Sequence, residues 1–162
     1  MIETIVFDWG DTIMRDYGLE DPMSQWEKVN WIPGAEELLQ KLQGTYKCVI
    51  ATSADHSDTQ EMKAALARVG ADQYFQSFYS QKELGVKKPD PRFFSTVAKL
   101  EGQSPGSFLM IGNLYEKDIV GAKQAGFKTI FFNENNLTGD HRLADLVVSQ
   151  LNEISIGLIR EL

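Results

Sequence analysis

The sequence predicts an α/β fold built on a mainly parallel sheet. Short β-rich runs alternate with segments of helical periodicity, the order that crossover units produce. The runs are apolar almost throughout, as strands buried on both faces are. At 162 residues the chain fits one domain, 1–162, large enough to bury a sizeable core.

The strands are expected at 3–9 (ETIVFDW), 47–52 (KCVIAT), 74–79 (YFQSFY), 107–111 (SFLMI), 128–133 (KTIFFN) and 145–148 (DLVV). Between them, GAEELLQKL sets Leu38, Leu39 and Leu42 on one helical face. SDTQEMKAALARVG opens at a cap-like Ser57 or Asp58 and stops at Gly70, and PRFFSTVAKL opens with Pro91. Gly126 closes a further helix after the fourth strand. The tail LNEISIGLIREL is amphipathic and is expected to pack on the sheet, although a helix–helix contact in a homodimer would leave the same pattern.

Composition excludes several classes. Hydrophobic residues make up 43% and charged residues 24%, the balance of a globular domain. Sixteen Lys and Arg against 23 Asp and Glu give a net charge of −7 with no dense basic cluster, which argues against a nucleic-acid partner. No apolar run approaches the roughly 18 residues of a membrane span, and MIETIVFDWG lacks signal-peptide character, so a cytoplasmic location is expected. The single Cys48 sits in an apolar run and reads as a core thiol. His56 and His141 lie far apart in polar surroundings and read as solvated surface.

Open sheets of this kind bind ligands beyond the carboxyl ends of their strands. Those ends carry Asp8 after the first strand, Thr52 and Ser53 after the second, and Gly112 and Asn113 after the fourth. An ionised Asp8 at the end of a buried strand is costly without a cation or several donors, unless it caps the turn that follows. Thr52 and Ser53 can donate to a phosphoryl oxygen, or bond ordinary backbone amides. In GVKKPDPRFF the proline steers Lys88 away from helical geometry. An ammonium there can neutralise a carboxylate nucleophile and a bound phosphate. Asn113 and Asp118 are spaced to face one cleft.

These four segments, in this order, resemble the haloacid dehalogenase superfamily, whose members are mostly magnesium-dependent phosphohydrolases that form an aspartyl-phosphate. The resemblance covers almost the whole chain. It implies a Rossmann-like three-layer core with Asp8 as nucleophile, Thr52 as the phosphate-binding hydroxyl, Lys88 as charge neutraliser and Asp118 in the acidic metal motif. Gly10 and Ser53 would add donors around the phosphoryl group, and Asp8, Gly10, Asn113 and Asp118 would surround Mg²⁺. Attack of a carboxylate on phosphorus needs the repulsion between two anions to be screened, which a magnesium ion and a lysine supply.

The chain departs from the family pattern twice. The first motif is usually Asp-x-Asp-x-Thr, the second Asp acting as general acid and base. Here Asp8 and Thr12 keep the family's separation, but Gly10 holds the second acid's place and Asp11 stands where glycine is usual. The fourth motif usually begins Gly-Asp, and here it is Gly112-Asn113. Asn offers an oxygen without the charge that hard magnesium favours. Two losses imply slow turnover biased toward acyl or aryl phosphates, unless the turn carries Asp11 into the cleft.

Relatives that do other chemistry fit less well. Dehalogenases place a bulky aromatic at the second acid's position, and phosphonate-cleaving members need a lysine from a helical cap. Only about 20 residues, MRDYGLEDPMSQWEKVNWIP, separate the first motif from the first core helix. That implies a capless member with a short flap at about 13–32, to which Tyr17, Trp26 and Trp31 contribute a lid or, for the tryptophans, ordinary packing. An open cleft suits a macromolecular substrate or one closed by a neighbouring subunit, since a site needs something to exclude water, and the expected partner is a phosphorylated small molecule or a phosphoprotein. The sequence therefore supports a Mg²⁺-dependent hydrolase, with a degenerate protein that binds a phosphorylated ligand or a protein partner as the alternative.

Overall fold

In the computed structural model, which describes residues 1–162, the six apolar runs become one six-stranded sheet. Its strands are β1 (Thr4–Phe7), β2 (Lys47–Thr52), β3 (Ser77–Ser80), β4 (Phe108–Gly112), β5 (Lys128–Phe132) and β6 (Leu146–Val148). They lie in the order β3-β2-β1-β4-β5-β6, and every neighbouring pair is parallel. The chain starts at the centre and winds outward in both directions, so the crevice for ligands falls where that direction reverses, beside β1.

The pleat sorts β1 between two cores. Ile5 and Phe7 join Cys48, Ile50, Leu109 and Ile111 in a core of 29 residues that also holds α1 (Ala35–Leu42), α2 (Thr59–Arg68) and α6 (Ile156–Glu161). Val6 joins Val49, Ala51 and Met110 under α4 (Pro91–Glu101) and α5 (Gly121–Gln124). A parallel sheet covered on both faces by helices is the three-layer arrangement expected. The short α3 (Gln81–Leu84) follows β3.

Local signals set most of the boundaries. Asp58, rather than Ser57, caps α2, in a capping box with Glu61. Asp90 caps α4, whose first residue is Pro91. Expected strand 74–79 begins late, because Asp72–Tyr74 winds into a 3₁₀ turn that drives Tyr74 and Phe75 into the core. The first strand ends early, because the N–H groups of Thr12, Ile13 and Met14 all donate to the Trp9 carbonyl and turn the chain. The tail packs on the sheet as two pieces, a 3₁₀ turn Leu151–Glu153 and α6, with Leu151, Ile154 and Ile159 buried.

Cys48 is buried, and burial pushes its thiol up to about 12. His141 is not the solvated residue expected. It is half-buried, with ring centroids 4.9 Å from Tyr115 and 4.8 Å from Phe131. No helix is long and apolar enough to cross a membrane.

Asp145 ties the edge pair β5–β6 to α5. Its carboxylate accepts from Lys123 Nζ at 2.6 Å, from the Thr129 N–H at 2.9 Å and from Thr129 Oγ1 at 3.1 Å. Burial opposes ionisation, but Lys123 and Thr129 outweigh it and hold the group below its ordinary value. Asp145→Ala should cost roughly 1–3 kcal/mol at neutral pH, since it leaves a buried N–H unpaired. A carboxylate depressed in the folded state stabilises above its unfolded pKa, near 4, and loses that contribution as pH falls through the lower folded value. Urea denaturation of both proteins from pH 7 to pH 3 should show the gap narrowing.

Candidate active site

The carboxyl ends of β1, β2 and β4 meet around one ammonium. Lys88 Nζ donates to Asp8 Oδ1 at 2.6 Å, to Asp118 Oδ1 at 2.7 Å and to the Ala51 carbonyl at 3.2 Å, which uses all three of its N–H bonds. All three side chains are buried. Burial works against the Lys88 charge, but Asp118 and Asp8 overcome it and hold the ammonium above its ordinary range. Asp118 is pushed upward, because it is buried and faces Asp8 while one lysine serves both carboxylates.

Each member is positioned by its own segment. Ser53 Oγ accepts the Lys88 N–H at 2.9 Å, pinning the loop that carries the lysine to the end of β2. Asp118 lies in a π-helical turn, Tyr115–Val120, that runs into α5. Its Oδ2 accepts the Leu114 N–H at 2.9 Å. A Cβ on Gly112 would stand 2.4 Å from that same oxygen, so only glycine lets the carboxylate lie against the strand end. π-Turns of this kind recur at functional sites.

A second cluster adjoins the first. Asp8 Oδ2, the Gly10 carbonyl and Thr12 Oγ1 converge on the side-chain amide of Asn113. With its nitrogen turned inward, Asn113 donates to all three at 3.2 Å. With its oxygen inward, only the Thr12 hydroxyl donates, and the remaining oxygens form a set that a hard cation would satisfy. The oxygens able to hold such an ion come from Asp8, Gly10 and Asn113, rather than from three acidic or histidine side chains. Both Asp118 oxygens are engaged, Oδ1 by Lys88 and Oδ2 by the Leu114 N–H.

These groups open into a cleft of about 400 Å³ whose lining includes Asp8, Gly10, Thr52, Ser53 and Lys88. Thr52 Oγ1 accepts the Ala54 N–H at 3.1 Å and keeps its own proton free for a ligand. The flap supplies Asp16, Met23 and Trp26 to the opposite wall. It is held there by Arg68, whose guanidinium reaches the carbonyls of Met23, Ser24, Trp26 and Glu27. Trp26 is buried in the core, Trp31 Nε1 donates to the Val69 carbonyl, and the exposed Tyr17 hydroxyl donates to Asn30 Oδ1.

Of the expected residues, Asp8, Gly10, Thr52, Ser53, Lys88, Asn113 and Asp118 come together, and Asp11 does not. Asp11 has a left-handed φ of 54° and turns away from the cleft. Its Oδ1 accepts from Arg15 Nη1 at 3.1 Å and from the Asp16 N–H at 3.1 Å. Arg15 in turn forms a bidentate pair with Glu134, 2.8 Å in each bond. Two site residues were missed as such: Thr12, read only as marking the motif's spacing, and Asp16, in the flap with no motif around it.

The chain matches the family of haloacid dehalogenase-like hydrolases over residues 10–132, and it belongs to that family. It is 32% identical over 125 residues to the pyrimidine 5'-nucleotidase YjjG of Escherichia coli, covering 76% of this chain and 54% of that protein. It is 30% identical over 135 residues to the glyceraldehyde 3-phosphate phosphatase of Pyrococcus furiosus, covering 80% of this chain and 55% of the relative. The chain thus spans about half the length of these relatives. An uncharacterized protein from Listeria monocytogenes serotype 4b superposes with a TM-score of 0.86 at 25% identity, over 98% of each chain.

Removing one partner of a buried, hydrogen-bonded charge cluster leaves the others uncompensated. Lys88→Met should therefore lose about 3–5 kcal/mol of stability. Adding Asp118→Asn should return part of it by removing one of the two stranded carboxylates. Urea midpoints of the single and double variants check this.

Proposed function

We propose that the protein is a Mg²⁺-dependent phosphohydrolase that works through an aspartyl-phosphate on Asp8. The observation that carries the reading is the Asp8–Lys88–Asp118 cluster at the floor of an open cleft with a free Thr52 hydroxyl beside it. A carboxylate bonded to a buried ammonium is held in place and aimed, as a nucleophile must be. Lys88 would also offset the charge of an incoming phosphoryl group, and Thr52 and Ser53 would bind its oxygens.

Asp8, Gly10 and Asn113 would hold the magnesium ion. When bound it would supply the positive charge that lets two anions approach. Asp118 acts one step removed, fixing the position of Lys88. Phosphate monoesters are the substrate class we infer, in keeping with the nucleotidase and the sugar-phosphate phosphatase among the relatives. The short flap between β1 and α1 favours a capless reading and a cleft open to bulky phosphorylated molecules.

One observation favours a second reading, in which the protein binds a phosphorylated ligand without turning it over. With its nitrogen inward, Asn113 satisfies Asp8 Oδ2 and the Gly10 carbonyl by itself, doing internally what a cation would otherwise do. Incubation with acetyl phosphate or p-nitrophenyl phosphate separates the two. The hydrolase reading expects phosphate release that requires Mg²⁺ and falls by at least about 10³ in Asp8→Asn, since the covalent route is lost. Phosphate binding with no release above that control supports the binding reading.

A further inference from the structure

The first motif lacks an acid at position 10, yet a carboxyl group stands where one would be. A Cβ built on Gly10 lies 3.3 Å from Asp16 Oδ2 and 3.4 Å from Asp16 Cβ. Asp16 belongs to the flap, six residues further along, and lines the cleft with Asp8, Thr52 and Lys88. We propose that Asp16 is the catalytic acid and base of this site, delivered from the flap into the space left open by Gly10. The inference rests on the hydrolase reading given above.

The backbone shows how the delivery is built. Gly10 bridges to Met14, and Met14 bridges to Trp31, so the chain doubles back beside its own first turn. The Asp16 N–H is held by Asp11 Oδ1, and Asp11 is held by Arg15, itself clamped to Glu134. Asp16 Oδ1 accepts the Gly18 N–H at 2.8 Å, which fixes the carboxyl's orientation and leaves Oδ2 toward Gly10. Asp11 is thus a positioning residue. The glycine at position 10 and the carboxylate at position 11 are two parts of one arrangement, since a side chain at 10 would crowd Asp16.

The chemistry balances with residues of this chain. In the first step Asp8 forms its bond to phosphorus as the ester P–O bond breaks, and the Asp16 carboxyl gives its proton to the departing oxygen. In the second step the Asp16 carboxylate takes a proton from water, whose oxygen bonds to phosphorus as the Asp8–phosphorus bond breaks. Free phosphate and the starting carboxylate and carboxyl groups result.

The test compares Asp16→Asn with the unchanged protein on an alkyl phosphate, which needs a proton, and on p-nitrophenyl phosphate, which does not. Asn keeps the acceptor for Gly18, so the turn survives. Loss of about 10²–10⁴ in the first-turnover release of the alcohol from the alkyl substrate, with a much smaller loss in the first-turnover burst of p-nitrophenol, is expected. Gly10→Asp combined with Asp16→Gly should recover part of the alkyl activity. Acid-quenched mass spectrometry should also show a phosphoryl adduct that builds up on Asp8 in Asp16→Asn, because water is no longer activated. Asp8-dependent hydrolysis that is indifferent to Asp16, or first-turnover release that falls equally on both substrates, overturns this proposal alone. Absence of any Asp8-dependent hydrolysis overturns it together with the hydrolase reading.

Discussion

One buried ammonium, shared between two carboxylates, is the constraint around which the rest of this site is arranged. Lys88 sits between Asp8 and Asp118 with its third N–H on Ala51, away from water. A lone charge in that position would be prohibitive, and a single ion pair would barely offset its desolvation. The triad holds the Asp8 carboxylate in the lining of the cleft. The strand ends supply both sides of it, with β1 bringing Asp8 and β2 the Ala51 carbonyl, while the turn after β4 brings Asp118 over a glycine that alone allows the approach. The parallel sheet therefore positions the chemistry at the floor of the cleft.

The fold was legible because strand burial leaves a plain signature. The run KCVIAT corresponds residue for residue to β2, and the other strands fall within their expected segments or shifted by one position, except β3, which starts three residues late and ends one late. Discrepancies arise where short-range bonding competes with the sheet. Three N–H groups gathered on Trp9 end β1 at Phe7, and a 3₁₀ turn delays β3. Residues at strand ends were legible for the same reason, as polar groups following apolar runs. His141 was misread because the aromatic rings that enclose it, Tyr115 and Phe131, come from other elements.

The flap is the part that sequence pattern could not resolve. Asp11 looks like a displaced acid in the linear sequence, but a left-handed backbone turns it outward, where it steadies Arg15 and Asp16. Asp16 carries no motif, and its approach to Gly10 depends on a fold-back fixed by Arg68, Trp26 and the Met14 bridges. No spacing rule expresses that contact. A first motif that reads as degenerate by position is, in three dimensions, a cleft whose lining still brings a carboxyl group beside Gly10.

The proposed hydrolysis depends on Asp8 as a nucleophile placed beside Lys88. The direct measurement is to quench the Mg²⁺-loaded protein in acid during turnover of acetyl phosphate and locate the phosphoryl group by peptide mass spectrometry. The expected result is an acid-stable, hydroxylamine-labile adduct on Asp8 that is absent from Asp8→Asn. Turnover without any adduct on Asp8, or an adduct on another residue, would contradict it.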